Sequence, residues 1–270
     1  MNDMTQNERG QVTSDAATVY ENFFVPALFQ PCVPHLLQAI EPELKTGLGA
    51  LDVACGTGII ARNLADNMLE KREVHAIDIN PGMLAVAKGI AHDVQWKEGD
   101  AQDLPYPDKH FDIVACQFGL MFFPDPVLAL KEMWRVLNTP GKLAIAVWDT
   151  LDNNPGYAKL SDQLAELFGD FALNAISAPY SLGEITALRG LFESANIPMA
   201  HIKTVKTQAR FQSIDDWMRT EIYGWTLADQ IDDTQFAQLL EAANTQLNRF
   251  VMSDATVQFE NSVHIISAVK

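Results

Sequence analysis

The sequence predicts an α/β protein built on a parallel β-sheet with helices on both faces. Between residues 49 and 149, apolar runs typical of buried strands alternate with segments of helical periodicity. The first of these runs continues into a glycine turn and a helix in LDVACGTGII, residues 51–60. A strand followed by such a turn presents backbone N–H groups to a nucleotide-like ligand. The pattern therefore predicts a ligand site together with the fold.

The elements follow in a regular order. Residues 13–40 have a helical, aromatic-rich pattern that Pro26, Pro31 and Pro34 divide into short pieces, which predicts a helical preface. The strands expected after it span 49–54, 73–79, 94–98, 111–118 and 142–149. The helices expected between them span 57–69, 81–90 and 125–137, the last with Asp125 as N-cap and Pro126 in its first turn.

The regular alternation of expected strands and helices ends after residue 149. A loop precedes two expected helices, 158–168 and 182–195, and the alternating segments 201–211 and 257–270 are expected strands. About forty helical residues lie between those strands, with Ser213 and Asp216 at capping-box spacing. Such an insertion is typical of a lid or an interface, and Trp217 and Trp225 within it could extend a pocket or form a dimer contact.

Composition limits the classes of function. The net charge is −16 and the Lys and Arg residues are scattered, so the average field repels nucleic acid. We found no apolar run of membrane-spanning length, and the polar start MNDMTQNERG lacks a signal-peptide pattern, so a cytoplasmic protein without a membrane span is expected. The three cysteines form no C-x-x-C pair and no His cluster has ligand spacing, which predicts no metal site.

Glycines and acids mark the candidate ligand site. Gly56, Gly58 and Ala61 match G-x-G-x-x-A, a pattern that fits a nicotinamide cofactor as well as other nucleotides. Asp78 ends the second strand about twenty residues after Gly58, where a carboxylate can accept hydrogen bonds from both ribose hydroxyls. This spacing favours an adenosine-containing ligand.

Two further acids point to the same ligand. Asp100 follows the third strand, where a site that recognises the exocyclic amine of adenine requires an acceptor. Asp52 lies inside the first strand, and a buried carboxylate there is costly unless it is hydrogen-bonded or faces a ligand cation. We therefore expect Asp52, Asp78 and Asp100 to converge on one cavity.

Five blocks occur in the order of a known family: LDVACGTG, AIDINPGML, GDAQDLPYPDKHFDIV, CQFGLMFFPD and LKEMWRVLNTPGKLAIAVW. With them the sequence resembles the class I S-adenosylmethionine-dependent methyltransferases, in particular the small-molecule branch that includes ubiquinone- and menaquinone-pathway C-methyltransferases. The resemblance covers about residues 20–149 closely. LNTPG replaces a frequent LKPGG before the fifth strand. ANIP replaces a frequent AGF, and this second difference concerns the position at which the late strands begin.

The resemblance implies a Rossmann-like, doubly wound, seven-stranded sheet that is mostly parallel, with the last strand antiparallel. It implies a single domain over 1–270: an N-terminal helical cap (1–46), the core (47–211), a helical insertion or lid (212–254) and the C-terminal strand (255–270). A homodimer is compatible with this arrangement.

The resemblance also assigns the cofactor, S-adenosyl-L-methionine, and its contacts. The loop around Gly56 would face the methionine part, Asp78 the ribose, Ile79 and Met83 the adenine faces, and Gln117 and Phe118 the sulfonium. The full expected set is Asp52, Ala54, Cys55, Gly56, Gly58, Asp78, Ile79, Met83, Asp100, Ala101, Gln117 and Phe118.

The expected reaction is in-line transfer of the methyl group to a small organic molecule, leaving S-adenosyl-L-homocysteine. Because the sulfonium is already activated, alignment and exclusion of water are the main requirements, and we assign no catalytic residue. His35, His110 and His264 could serve as a base if the acceptor needs one. The expected acceptor pocket comprises Tyr20, Phe24, Met121, Phe122 and Trp148.

Other functions stay open at this point. A protein or RNA acceptor is disfavoured by the acidity and by CQFGL standing where exocyclic-amine methyltransferases have an Asn-Pro-Pro-Tyr type motif. A nicotinamide-dependent oxidoreductase would use the same glycines but lacks a Tyr-x-x-x-Lys pair. A cofactor-binding protein without transferase activity is also compatible with the sequence.

Overall fold

A computed structural model describes residues 14–46, 49–68, 73–198, 200–224, 227–228 and 230–270 of the chain. Seven strands form one sheet in the described part. They are β1 (Gly49–Val53), β2 (Glu73–Asp78), β3 (Gln95–Glu98), β4 (Phe111–Gln117), β5 (Leu137–Trp148), β6 (His201–Phe211) and β7 (Val257–Val269).

The strand order is β3-β2-β1-β4-β5-β7-β6. The first five strands pair in parallel, whereas β7 runs antiparallel to both of its neighbours, β5 and β6. The order reverses direction at β1, where β2 lies on one side and β4 on the other. This arrangement confirms the doubly wound, mostly parallel sheet with an antiparallel last strand.

Helices cover both faces of the sheet. They are α1 (Ser14–Val19), a π-helix (Tyr20–Phe29), α2 (Val33–Thr46), α3 (Ile59–Asn67), α4 (Pro81–Ile90), α5 (Pro126–Val136), α6 (Pro155–Phe168), α7 (Asp170–Ser177), α8 (Ile185–Ser194), α9 (Ile214–Tyr223) and α10 (Asp233–Gln246). Successive strand residues alternate between the two faces. In β1, Ala50 joins the core under α2, α3 and α6, whereas Leu51 joins the core under α5 and α8.

The N-terminal helices differ from expectation. Instead of short pieces separated by prolines, a short 3₁₀ turn (Gln30–Cys32) joins the π-helix to α2, and Pro26 lies inside the π-helix. The helical run Ala16–Glu41 has 26 residues and, by length and composition alone, could cross a membrane. The expectation that no run approaches that length was therefore wrong. Half of the apolar stretch is buried inside the protein, as in a core helix.

Three later elements also differ from the sequence prediction. Strand β5 begins at Leu137 rather than 142, because Leu137, which was expected to end the preceding helix, pairs with Phe111 of β4. The register then shifts, and Ile113 pairs with Lys142. Helix α7 was not predicted. Trp217 is fully buried, so in the described structure it is a core residue and not a surface for a dimer contact, while Trp225 lies outside the described residues.

Candidate functional site

An open cavity of about 920 Å³ lies at the carboxyl ends of β1, β2, β3 and β4. In parallel sheets, ligands bind at this edge, where the strand order reverses. We call it the polar cavity. Its predicted wall residues are Ala54, Gly56, Asp78, Ile79, Met83, Asp100, Ala101, Gln117 and Phe118, with Tyr20 and Phe122 from the expected acceptor pocket. The residues that the prediction missed are Ile77, Asn80, Gly99, Gln102, Gly119 and Pro124, and Phe123 also lines this wall.

Asp78 is fixed by backbone donors on both carboxylate oxygens. The Gly56 N–H donates to Oδ2 at 2.7 Å and the Asn80 N–H donates to Oδ1 at 2.8 Å. Burial nevertheless raises the pKa of Asp78, because desolvation outweighs these hydrogen bonds. Asn80 in turn caps α4 by accepting from the Gly82 and Met83 N–H groups. The glycine turn and the start of α4 are thereby held around one carboxylate.

Asp100 is positioned by Gln102, a residue that sequence reasoning missed. The Gln102 N–H donates to Asp100 Oδ1 at 2.8 Å, and its side-chain Nε2 lies 3.2 Å from Oδ2. Gln102 Oε1 accepts from the Asp125 N–H at 2.8 Å. Asp125 is the N-cap of α5, as the sequence predicted. The acidic wall is therefore tied to the helix that follows β4.

Two wall residues have strained backbones. Ala54 and Phe118 adopt left-handed conformations, with φ of 54° and 56°, although neither is glycine. Such conformations cost of order 1–3 kcal/mol each and concentrate at functional sites. Both residues follow a strand directly, at the point where the chain turns into the cavity.

The three remaining predicted residues lie away from the described wall. Asp52 is 1% exposed and its Oδ2 accepts from the Ala61 N–H at the start of α3, at 2.9 Å. Burial raises its pKa to about 8. The Cys55 side chain is buried in the core. Gly58 has a φ of 89°, and a Cβ there would lie 2.2 Å from the Trp96 ring. The expected convergence of the three acids therefore holds for Asp78 and Asp100 only.

A second cavity, of about 550 Å³, adjoins the first. Tyr20, Phe118 and Phe122 line both cavities. We call this second one the aromatic cavity. Its other described wall residues are Phe24, Leu28, Phe29, Trp148, Tyr157, Ala175, Ile176, Pro179, Tyr180 and Glu221. Of the expected acceptor residues only Met121 is absent from both walls, and it packs against the core instead.

The π-helix arranges the aromatic side chains at this wall. Tyr20 and Phe29 are nine positions apart, and with about 3.6 residues per turn they would lie on opposite sides of an α-helix. The wider turn of a π-helix places both on one side, and their rings stack with centroids 5.0 Å apart. Phe29 also lies 5.6 Å from Phe118. An ion pair of 2.8 Å between Glu21 and Arg62 of α3 holds this helix beside the glycine turn.

Glu221 is a charged residue that sequence reasoning missed. It lies on α9, within the predicted insertion, and is 6% exposed. Tyr157 Oη and Trp217 Nε1 both donate to its Oε1, at 2.6 and 3.0 Å. Burial raises its pKa to about 7. The one local signal in the sequence is the i, i+4 spacing of Trp217 and Glu221.

None of the three candidate histidines lines either cavity. His264 is buried in β7, where it lies 2.9 Å from Thr204 Oγ1, 2.9 Å from the Gly183 carbonyl and 3.2 Å from Asp149 Oδ1. His110 stacks on Tyr106 at the other end of β4, and His35 lies on α2. This geometry does not support the possibility that one of them serves as a base, and no histidine was assigned as catalytic.

Comparison with known proteins identifies the domain. Residues 51–145 match the family described as "Methyltransferase domain". Demethylmenaquinone methyltransferase of Lactobacillus johnsonii is 37% identical over 140 residues, which cover 47% of this chain and 57% of that protein. Ubiquinone/menaquinone biosynthesis C-methyltransferase UbiE of Ectopseudomonas mendocina is 38% identical over 125 residues, 44% of this chain and 48% of that protein. The chain spans about half the length of these curated relatives.

Solved structures share the fold. The YcgJ protein of Bacillus subtilis has a TM-score of 0.58 at 19% identity, covering 87% of this chain and 96% of that one. Phosphoethanolamine N-methyltransferase 2 of Haemonchus contortus, in complex with S-adenosyl-L-methionine, has a TM-score of 0.61 at 18% identity, covering 100% of this chain and 60% of that one. At these identities the likeness concerns the fold. Residues 51–145 therefore match a methyltransferase domain, and the chain shares its fold with a solved N-methyltransferase.

Proposed function

We propose that this chain transfers a methyl group from S-adenosylmethionine, held in the polar cavity, to a small organic acceptor in the aromatic cavity. The observation that carries the proposal is the junction of the two cavities at Tyr20, Phe118 and Phe122. A transferase needs the cofactor and the acceptor in contact at one point and separate elsewhere. The small organic acceptor and the in-line geometry of the transfer are part of this proposal.

The polar cavity suits the cofactor chemically. Asp78 and Asp100 offer acceptors for ribose hydroxyls and for an adenine amine, and no Lys, Arg or His is among the described wall residues, which suits a cationic sulfonium. Ile79 is 45% exposed at this wall, an apolar surface for the face of adenine. Gln117 Oε1 is buried and has no hydrogen-bond partner in the described structure, so it is open to a ligand donor.

When bound, S-adenosylmethionine supplies a methyl group on a positively charged sulfur that a nucleophile displaces. The protein's own groups then align the acceptor and exclude water. The Phe118 and Trp148 rings stack with centroids 4.0 Å apart, which makes a rigid apolar wall at the junction. The N-terminal π-helix closes the opposite side with Tyr20 and Phe24. The domain boundaries predicted from the sequence assign this helix to a cap, and we retain that division as a proposal.

Calorimetric titration with S-adenosylmethionine, S-adenosylhomocysteine and NADH tests the cofactor assignment. We expect both adenosyl sulfur compounds to bind, and Asp78→Asn to weaken them at least about tenfold because it removes a carboxylate from the ribose contact. Asp66→Asn, an exposed position on α3, is the matched control and should leave binding unchanged. Binding of NADH in preference to either compound would support an oxidoreductase instead.

A further inference from the structure

Glu221 is the one charged side chain among the described residues that line the aromatic cavity. Its two hydrogen bonds both end on Oε1, from Tyr157 Oη and Trp217 Nε1. Oε2 accepts no hydrogen bond from the described part of the protein. Within the described residues, this buried carboxylate thus offers one oxygen without a hydrogen bond at the wall of the aromatic cavity.

In the part of the chain that the structure describes, this carboxylate has no cationic partner. Within the described residues no Lys, Arg or His forms an ion pair with Glu221, and none lines the aromatic cavity. A buried charge is costly unless a counter-charge compensates it. The side chains around it are the rings of Phe24, Trp148, Tyr157 and Tyr180, whose faces attract cations. The carboxylate and the aromatic rings both favour a positively charged ligand.

The tyrosines that line the aromatic cavity indicate the charge state of a hydroxyl group bound there. Burial and, next, the charge of Glu221 raise the pKa of Tyr157 and of Tyr180 well above the ordinary value. Burial and the charge of Asp78 raise the pKa of Tyr20. An acceptor hydroxyl in the same place would stay neutral for the same reasons and would leave Glu221 without a counter-charge. A carboxylate or phosphate group would be repelled.

Building on the proposed function, we infer that the acceptor is a small apolar molecule that bears an amine, and that its ammonium group binds Glu221 in the aromatic cavity while another atom of the molecule receives the methyl group. Glu221 is then a specificity and positioning residue: it selects the amine and fixes the molecule's orientation toward the junction with the polar cavity. The aromatic walls bind the apolar body of the molecule.

Three probes with the same phenyl body test the inference: phenethylamine, phenethyl alcohol and phenylacetate. Each is titrated calorimetrically into the protein saturated with S-adenosylhomocysteine. We expect phenethylamine to bind at least about tenfold more tightly than the alcohol, and phenylacetate to bind most weakly. Equal affinity for the amine and the alcohol, tighter binding of phenylacetate, or no binding of the amine at millimolar concentration would overturn the inference.

A matched set of variants isolates the charge. Glu221→Gln keeps the shape and the Oε1 acceptor, so it should lower amine affinity to that of the alcohol and leave alcohol affinity unchanged. Tyr157→Phe removes one hydrogen bond but not the charge and should retain the amine preference. Glu166→Gln, at an exposed position on α6, should change nothing. An amine preference that persists in Glu221→Gln contradicts the inference.

The proposed function and the amine acceptor can be refuted independently of each other. Absence of S-adenosylhomocysteine binding would refute the proposed function before any probe is added. Binding of S-adenosylhomocysteine without a preference for the amine would refute the amine acceptor alone. The wild-type comparison of the three probes needs no variant, so it stands even where a substitution disturbs folding.

Discussion

Gly58 is constrained both by its backbone conformation and by a neighbouring side chain. Its φ of 89° lies in the left-handed region, and a Cβ would lie 2.2 Å from the Trp96 ring. We expect Gly58→Ala to lower the free energy of unfolding by roughly 2–4 kcal/mol. Gly89→Ala is the matched control: it lies in α4 with nothing within 4 Å of its Cβ, and should stabilise by up to about 1 kcal/mol. Urea unfolding measures both, and equal effects would contradict the packing described for Gly58.

Glu221 makes stability depend on pH in a defined direction. Its pKa is about 7 in the fold against an ordinary 4.5. At a pH between these two values, Glu221 is ionised in the unfolded chain but protonated in the folded chain. The contribution of this proton to the free energy of unfolding is therefore complete below pH 4.5 and is lost as the pH rises through 7. Glu221→Gln should therefore match the wild type near about pH 4 and be more stable by up to about 3 kcal/mol near about pH 8. Denaturant titrations of both proteins at both pH values check this. A wild type that is more stable than Glu221→Gln at the higher pH would refute it.

At the scale of elements, the π-helix depends on its attachment to α3. The Glu21–Arg62 pair spans 2.8 Å, with side-chain exposures of only 17% and 16%. We expect Glu21→Gln to cost about 1 kcal/mol and to speed amide hydrogen exchange in residues 16–30. The exposed pair of Glu260 with Lys206, at 3.1 Å, provides the control, and Glu260→Gln should change stability by less than about 0.5 kcal/mol. If amide exchange is unchanged in Glu21→Gln, the ion pair does not hold the π-helix in position.

Elements with strong local signals were predictable from sequence. Asp125 with Pro126 and Ser213 with Asp216 mark helix starts, and both Asp125 and Ser213 cap their helices in the structure. The π-helix was not predictable, because its hydrogen-bond pattern depends on which side chains pack together and not on local propensity. Helix α7 is short and follows Gly169 closely, so its periodic signal is weak.

At the scale of the whole molecule, the topology explains which parts of the site could be found. Asp78, Asp100 and Gln117 follow or end parallel strands, so predicting the sheet also placed them at one edge. Tyr157, Tyr180 and Glu221 reach the aromatic cavity from three helical segments beyond residue 150. Only tertiary packing unites them, and no spacing in the sequence records it.

The central claim is that the polar cavity holds the adenosyl cofactor with its sulfur at the junction with the aromatic cavity. A crystal structure of the protein with S-adenosylhomocysteine tests this most directly. We predict the ribose beside Asp78, the adenine beside Ile79 and Asp100, and the sulfur facing Phe118. A nucleoside bound elsewhere, or a sulfur directed away from the aromatic cavity, would contradict the account.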